Sequence, residues 1–162
     1  MPEINWMRYF EAVFDSLNAS LFAGAIPTAK FAFDISKKFA MRWDRERIVI
    51  GSEFVSLNIL DFIISVIHEM IHIQCQAMRL DDLGINQYHK RDFMKVALSL
   101  GFYVVKHKNQ GWSIISPVPP RNATDSHAVK VPIAGSNRLL LDVLDNVNVD
   151  VEGLRREMAS LR

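Results

Sequence analysis

The chain has 162 residues, 49% hydrophobic and 23% charged, with 19 basic and 18 acidic side chains and a formal charge of +1. That balance points to one soluble globular domain and excludes a disordered chain, a repeat array, and bulk electrostatic attraction to nucleic acid or an anionic membrane. A single cysteine, Cys75, leaves no intrachain disulfide and no cysteine-rich zinc site. Near Met1 no basic flank leads into an apolar run, so a cytoplasmic setting is expected. The longest apolar stretch, Ile59 to Ile73, is interrupted by Asp61, His68, Glu69 and His72, so no membrane span is predicted.

In chain order, Met7, Phe10, Phe14, Leu17 and Leu21 recur at three- and four-residue steps and predict an amphipathic helix over 4–22, broken by Gly24 and Pro27. AKFAFDI, KFAMRWD and RIVIGS then read as three short strands of an antiparallel sheet, with Phe31, Phe33 and Ile35 alternating on one face and an exposed connection at 44–47. Asn58 is a candidate N-cap for a long helix running to about Met78. A second helix follows from about Lys90 to Leu100, closed by Gly101. FYVVKHK and WSIIS, joined through Asn109-Gln110-Gly111, predict a hairpin. Four of the six prolines fall in 117–132 and mark a linker or arm. Beyond it, Leu140, Val143, Leu144 and Val147, then Val151, Leu154, Met158 and Leu161, predict one or two short amphipathic helices. The expected division is a main domain over 1–116, a linker over 117–135 and a helical appendage over 136–162.

The chemistry lies in DFIISVIHEMIHIQCQAM, residues 61–78. On a helix, Asp61, Ser65, His68, Glu69, His72 and Gln76 form one polar stripe on an otherwise apolar cylinder, which must then be buried with the stripe facing a cleft. His68 and His72 are one turn apart, so both imidazoles project the same way and can grip one ion. Glu69 stands beside them, placed to reach a water rather than to share the ion. This is the H-E-x-x-H zinc pattern. The competing reading is two core histidines satisfied by hydrogen bonds, but two imidazoles and a carboxylate are costly to bury unpaired and a cation relieves that cost.

A third ligand must come from elsewhere. Cys75 and Met78 occupy the positions where the extended metzincin motif has Gly and His, and the downstream glutamates, Glu152 and Glu157, fall in the terminal appendage. Of His89, His107 and His127, His89 is best placed, at the start of the second helix with Phe93 four residues on to anchor it. His107, in the hairpin, and His127, in the linker, read as surface histidines. Asp81, Asp82 and Asp92 read as solvating their loop or capping the second helix. Lys37, Lys38, Arg42, Arg45 and Arg47 around Trp43 form a weak basic patch, diluted by Asp44 and Glu46, that reads as a solvated hairpin edge.

Leu17-Asn18 and Phe22 on the first helix, the Gly24-to-Pro27 turn, a three-stranded segment, His68-Glu69-Met70-Ile71-His72 and the later His89-Lys90-Arg91-Asp92-Phe93 together resemble the SprT-like metalloprotease domain over about residues 4–105. That family includes the Spartan proteases, which degrade proteins crosslinked to DNA, and bacterial SprT proteins. The family's glycine after the third histidine is Lys90 here, and the cysteine-rich ribbon of many bacterial relatives is absent. The resemblance implies a small α+β zincin-like domain, built from an N-terminal helix, a three-stranded antiparallel sheet, an active-site helix and a following helix, with a C-terminal helical appendage. It implies one Zn²⁺ held by His68, His72 and His89, Glu69 as general base and then proton donor, and protein or peptide substrates. A DNA partner rests on family analogy alone. Candidate oxyanion donors are Tyr88, Tyr103 and His107. The alternative from another class is a non-catalytic zinc-containing domain that binds protein or DNA. Glu69 favours the enzyme, because a structural zinc site needs a fourth protein ligand and no base.

Overall fold

The computed structural model describes residues 2–121 and 128–147, together with Gly153 and Arg156. His127, Glu152, Glu157 and the expected helical stripe at Val151, Leu154, Met158 and Leu161 lie outside the described residues. The chain is α+β, with four α-helices and two three-stranded sheets among the described residues. It divides into two compact units, one running to Met70 and taking in Asn146, the other Ile71–Asp145.

The first unit opens with α1 (Pro2–Leu21), whose Phe10, Val13, Phe14 and Leu17 are buried at the expected helical spacing. Its end is locked from within. The Asn18 side chain donates to the Ile26 carbonyl (2.9 Å) and accepts from the Ile26 amide (3.1 Å), closing the Gly24–Pro27 turn back onto the helix. β1 (Lys30–Phe33), β2 (Met41–Trp43) and β3 (Arg47–Ile50) follow, in the order β1-β3-β2. The expected antiparallel sheet is therefore corrected to a mixed one: β2 and β3 pair antiparallel, but β1 runs parallel to β3. The β2–β3 hairpin is held by Asp44, whose Oδ1 accepts from the amides of Glu46 (3.0 Å) and Arg47 (2.9 Å). With β2 on one edge of β3, only the other edge is open to β1, which runs the same way as β3 and leads through residues 34–40 into β2. β3 thus becomes the central strand, and its Ile48 and Ile50 are buried.

The expected alternation through Ile35 also fails. β1 stops at Phe33, and Phe33 and Ile35 are exposed, because the Asp34 carboxylate accepts from the Ser36 amide (3.0 Å) and hydroxyl (2.6 Å) and turns the chain. The core is aromatic: Phe10 packs against Phe31, Phe54 and Phe62 with ring centroids 5.1–6.1 Å apart. A 3-10 turn at Ser52–Ser56 buries Phe54 and leads to α2 (Ile59–Ala77), where the Asn58 side chain caps the Asp61 amide at 2.8 Å.

The second unit holds the end of α2, then α3 (Arg91–Leu100), β4 (Tyr103–His107), β5 (Gly111–Ser116), β6 (Val129–Lys130) and α4 (Ser136–Asn146). The expected hairpin is β4–β5. Val129 and Lys130 add a third strand to it from within the proline-rich stretch, pairing with Val105 and Val104. α3 ends on Gly101 at φ +105°, where a Cβ would collide with the backbone of Ser136 and Asn137. The Asn137 side-chain amide donates to the carbonyls of Gly101 and Pro117, both at 2.8 Å, and Leu140 is fully buried. The start of α4 is thereby stitched to the end of α3. No helix among the described residues is long and apolar enough to cross a membrane.

Candidate metal centre

Burial along the predicted stripe of α2 peaks in its middle. Asp61 and Gln76 are exposed, Ser65 and His68 half-buried, and Glu69 and His72 only 6% and 5% exposed. Only a helix puts positions 68 and 72 one above the other, and the large apolar residues around them (Ile67, Met70, Ile71, all fully buried) hold that face inward. Glu69 is anchored within the first unit, where its Oε2 accepts from the Trp43 amide at the end of β2 at 2.7 Å.

His89 reaches the cluster by a different route. It lies in an extended segment between a 3-10 turn at Ile85–Gln87 and α3, and it is zipped onto the hairpin by its backbone. Its amide donates to the Gln110 carbonyl (2.8 Å), and its carbonyl accepts from the Trp112 amide (3.0 Å). Gly111 between them sits at φ +68°, where a Cβ would run into the His89 carbonyl oxygen and the Tyr88 ring. Lys90 takes an extended conformation open to any residue (φ −87°, ψ 179°), so no glycine is required at that position.

The ligand atoms of His68, His72 and His89 all lie within 4.8 Å of one another, close enough to bind a metal ion. The Nε2 atoms of His72 and His89 face each other at 3.0 Å. On each of these rings the opposite nitrogen is engaged. Nδ1 of His72 is 2.7 Å from the Asp82 carboxylate, and Nδ1 of His89 is 3.2 Å from the Gln110 carbonyl. Partners on Nδ1 fix the tautomer and aim Nε2 at a common point. Phe93, fully buried, packs against both rings with centroids 4.8 and 4.7 Å away. Burial, and secondarily the neighbouring His72, lower the His89 pKa to about 4, so this imidazole is neutral and its lone pair is available at neutral pH. Burial, reinforced by Asp82 and Asp92, pushes the Cys75 thiol up to about 12, so in the metal-free protein it is a neutral, buried thiol.

The three aspartates do not share one fate. Asp82, expected to solvate its loop or cap α3, instead orients His72, and no helical or turn periodicity signals such a contact ten residues away. Asp81 takes the Lys90 ammonium (2.8 Å), and Asp92 accepts from the Asp81 amide (2.8 Å). The Gln110-Gly111 pair, which reads in sequence only as a turn, is the second element that sequence reasoning missed. His107 is half-buried and its Nδ1 accepts from the Asn109 amide (3.1 Å), so it serves the hairpin turn. Tyr88 and Tyr103 are half-buried, with Tyr88 packed on Gly111. In the basic patch Arg47 pairs with Asp44 (3.2 Å) and Arg42 lies over the Phe39 ring (4.5 Å). No family model, curated protein or solved structure matches this chain.

Proposed function

We propose that this protein is a zinc-dependent metallopeptidase of the SprT-like, zincin-like type, acting on protein or peptide substrates, DNA-associated or crosslinked proteins among them. The observation that carries the reading is the convergence of three histidines, two of them on one helix beside a buried, anchored glutamate. The donor set suits zinc. Nitrogen atoms 3.0 Å apart come near the ~3.3 Å that two ligands of a tetrahedral zinc subtend at bond lengths of ~2.0–2.1 Å. Three protein ligands leave a fourth position for chemistry, as catalytic sites do and structural ones do not. When bound, zinc would acidify a water and polarise the peptide carbonyl.

The chain's own residues supply the rest. Glu69 takes a proton from the attacking water and passes it to the departing amine nitrogen. The Trp43 amide holds its Oε2, so the carboxylate keeps one orientation between the two transfers. β2 is one of the two edge strands of its sheet, and through Trp43 it is tied to that carboxylate. An extended peptide laid along β2 would present its backbone to Glu69. Asp82 and Gln110 hold the imidazole tautomers throughout.

The test combines metal content with hydrolysis of an unfolded protein substrate. Wild type and Glu69→Gln are both expected to carry one zinc per chain, with hydrolysis about 10²–10⁴-fold slower in Glu69→Gln. His68→Ala, His72→Ala and His89→Ala are each expected to lose the metal. Equal hydrolysis by wild type and Glu69→Gln overturns the mechanism. Zinc without hydrolysis in either protein favours the non-catalytic zinc-containing, protein- or DNA-binding alternative.

A further inference from the structure

On the outer side of the His89 segment, within the second unit, a cleft of about 390 Å³ is lined by Asp81, Tyr88, Lys90, Arg91, Asp92, Lys106 and Trp112. Two ammonium groups converge on the same indole: Lys106 Nζ from β4 at 5.5 Å and Lys130 Nζ from β6 at 5.8 Å from the Trp112 ring centroid. Lys90 is matched by Asp81 at 2.8 Å. Arg91, Lys106 and Lys130 have no carboxylate within ion-pair distance among the described residues. An anion placed among these three cations offsets their mutual repulsion.

We propose that Arg91 and Lys106, which line this cleft, together with Lys130, which lies over the Trp112 ring as Lys106 does, bind the acidic side chains of a peptide chain. Discrete carboxylates fit this cleft better than a nucleic-acid strand does, for three reasons. The indole is 8% exposed and covered by the lysines, so it offers no platform for stacking bases. Asp81, paired with Lys90, and Asp92, bonded to the Asp81 amide, line the same cleft, so separate carboxylates can seat at the other cations where a continuous row of phosphates would be opposed. The volume suits a few side chains rather than a tracked backbone. The cleft also borders the third histidine. Tyr88 and Lys90 flank His89 in sequence, and the Trp112 amide donates to the His89 carbonyl, so a chain held here is held beside that ligand. An acidic stretch next to the scissile bond would then be favoured, a consequence that rests on the peptidase reading, whereas the binding itself does not.

The experiment is fluorescence anisotropy of a labelled Glu-Gly repeat peptide titrated with the full chain carrying Glu69→Gln, so that cleavage cannot interfere. Saturable binding is expected. Lys106→Gln with Lys130→Gln should weaken it about tenfold, the size of two modest charge contacts, whereas Lys106→Arg with Lys130→Arg should retain it. Added salt should weaken it. Lys30→Gln with Lys37→Gln, which removes the same charge from the first unit, should leave it unchanged. Absence of binding, or equal weakening by both glutamine pairs, overturns the assignment. So does a single-stranded oligonucleotide that binds through Lys106 and Lys130 more tightly than the peptide. Peptide binding that follows this pattern, in a protein whose wild type hydrolyses nothing, upholds the site and overturns the peptidase reading.

Discussion

The two sources of imidazole in the candidate metal centre are built on opposite principles. α2 delivers His68 and His72 by local geometry: the 3.6-residue period aligns them, and the apolar residues around them keep the helix turned inward. The 88–112 region delivers His89 by pairings more than twenty residues apart in sequence, with Gln110, Gly111 and Trp112 clamping both sides of its peptide backbone. A helix-borne ligand tolerates changes among its neighbours, because every residue of the helix supports the same placement. A ligand in an extended segment depends on a few distant atoms. Disturbance of the hairpin should therefore reach the metal more directly than disturbance of the helix.

The sharpest way to break that comparison is Gly111→Ala. The methyl would strike the His89 carbonyl and the Tyr88 ring at a left-handed backbone position, so we expect destabilisation by about 1–3 kcal/mol together with loss of most bound metal. Chemical unfolding and metal analysis of one preparation check both. A Gly111→Ala protein with full zinc would show that His89 does not depend on the hairpin. Next in size is Asp82→Asn, which keeps the shape but removes the charge behind His72; metal affinity measured by chelator competition should fall by about 10–100-fold.

These two expectations also mark where the sequence was legible. His68, Glu69 and His72 declare themselves because the period of a helix is a local rule. His89 was legible through Phe93, whose four-residue spacing and full burial fix the segment under both rings. Asp82 and Gly111 were not, since their partners are set by the folding-back of a loop and a hairpin. The same physics hid the sheet. The strands of β1, β2 and β3 could be read from their β-branched and aromatic residues, but the parallel pairing of β1 with β3 is a long-range choice. Val129 and Lys130 were hidden among prolines, where two paired residues leave no pattern.

The pH dependence of the metal-free protein sharpens the comparison further. In the fold, burial and the adjacent His72 favour the neutral form of His89, so its pKa falls from 6.5 to about 4. Below 6.5 the unfolded chain takes up this proton before the folded one does, so the stability contributed by neutral His89 is complete above 6.5 and is lost as pH falls through 4. Urea titrations of metal-free protein across that range should show the decline, and His89→Gln should flatten it. The smallest effect belongs to the helix. Asn58→Ala removes the cap on the Asp61 amide and should cost about 1 kcal/mol in chemical unfolding without changing metal content.

The bond between the Trp43 amide and Glu69 Oε2 has a use beyond orientation. An amide proton held 2.7 Å, nitrogen to oxygen, from a buried carboxylate is strongly deshielded and exchanges slowly with solvent. The backbone resonance of Trp43 is therefore a built-in spectroscopic probe of the glutamate, readable in a ¹⁵N spectrum without altering the residue whose protonation it reports.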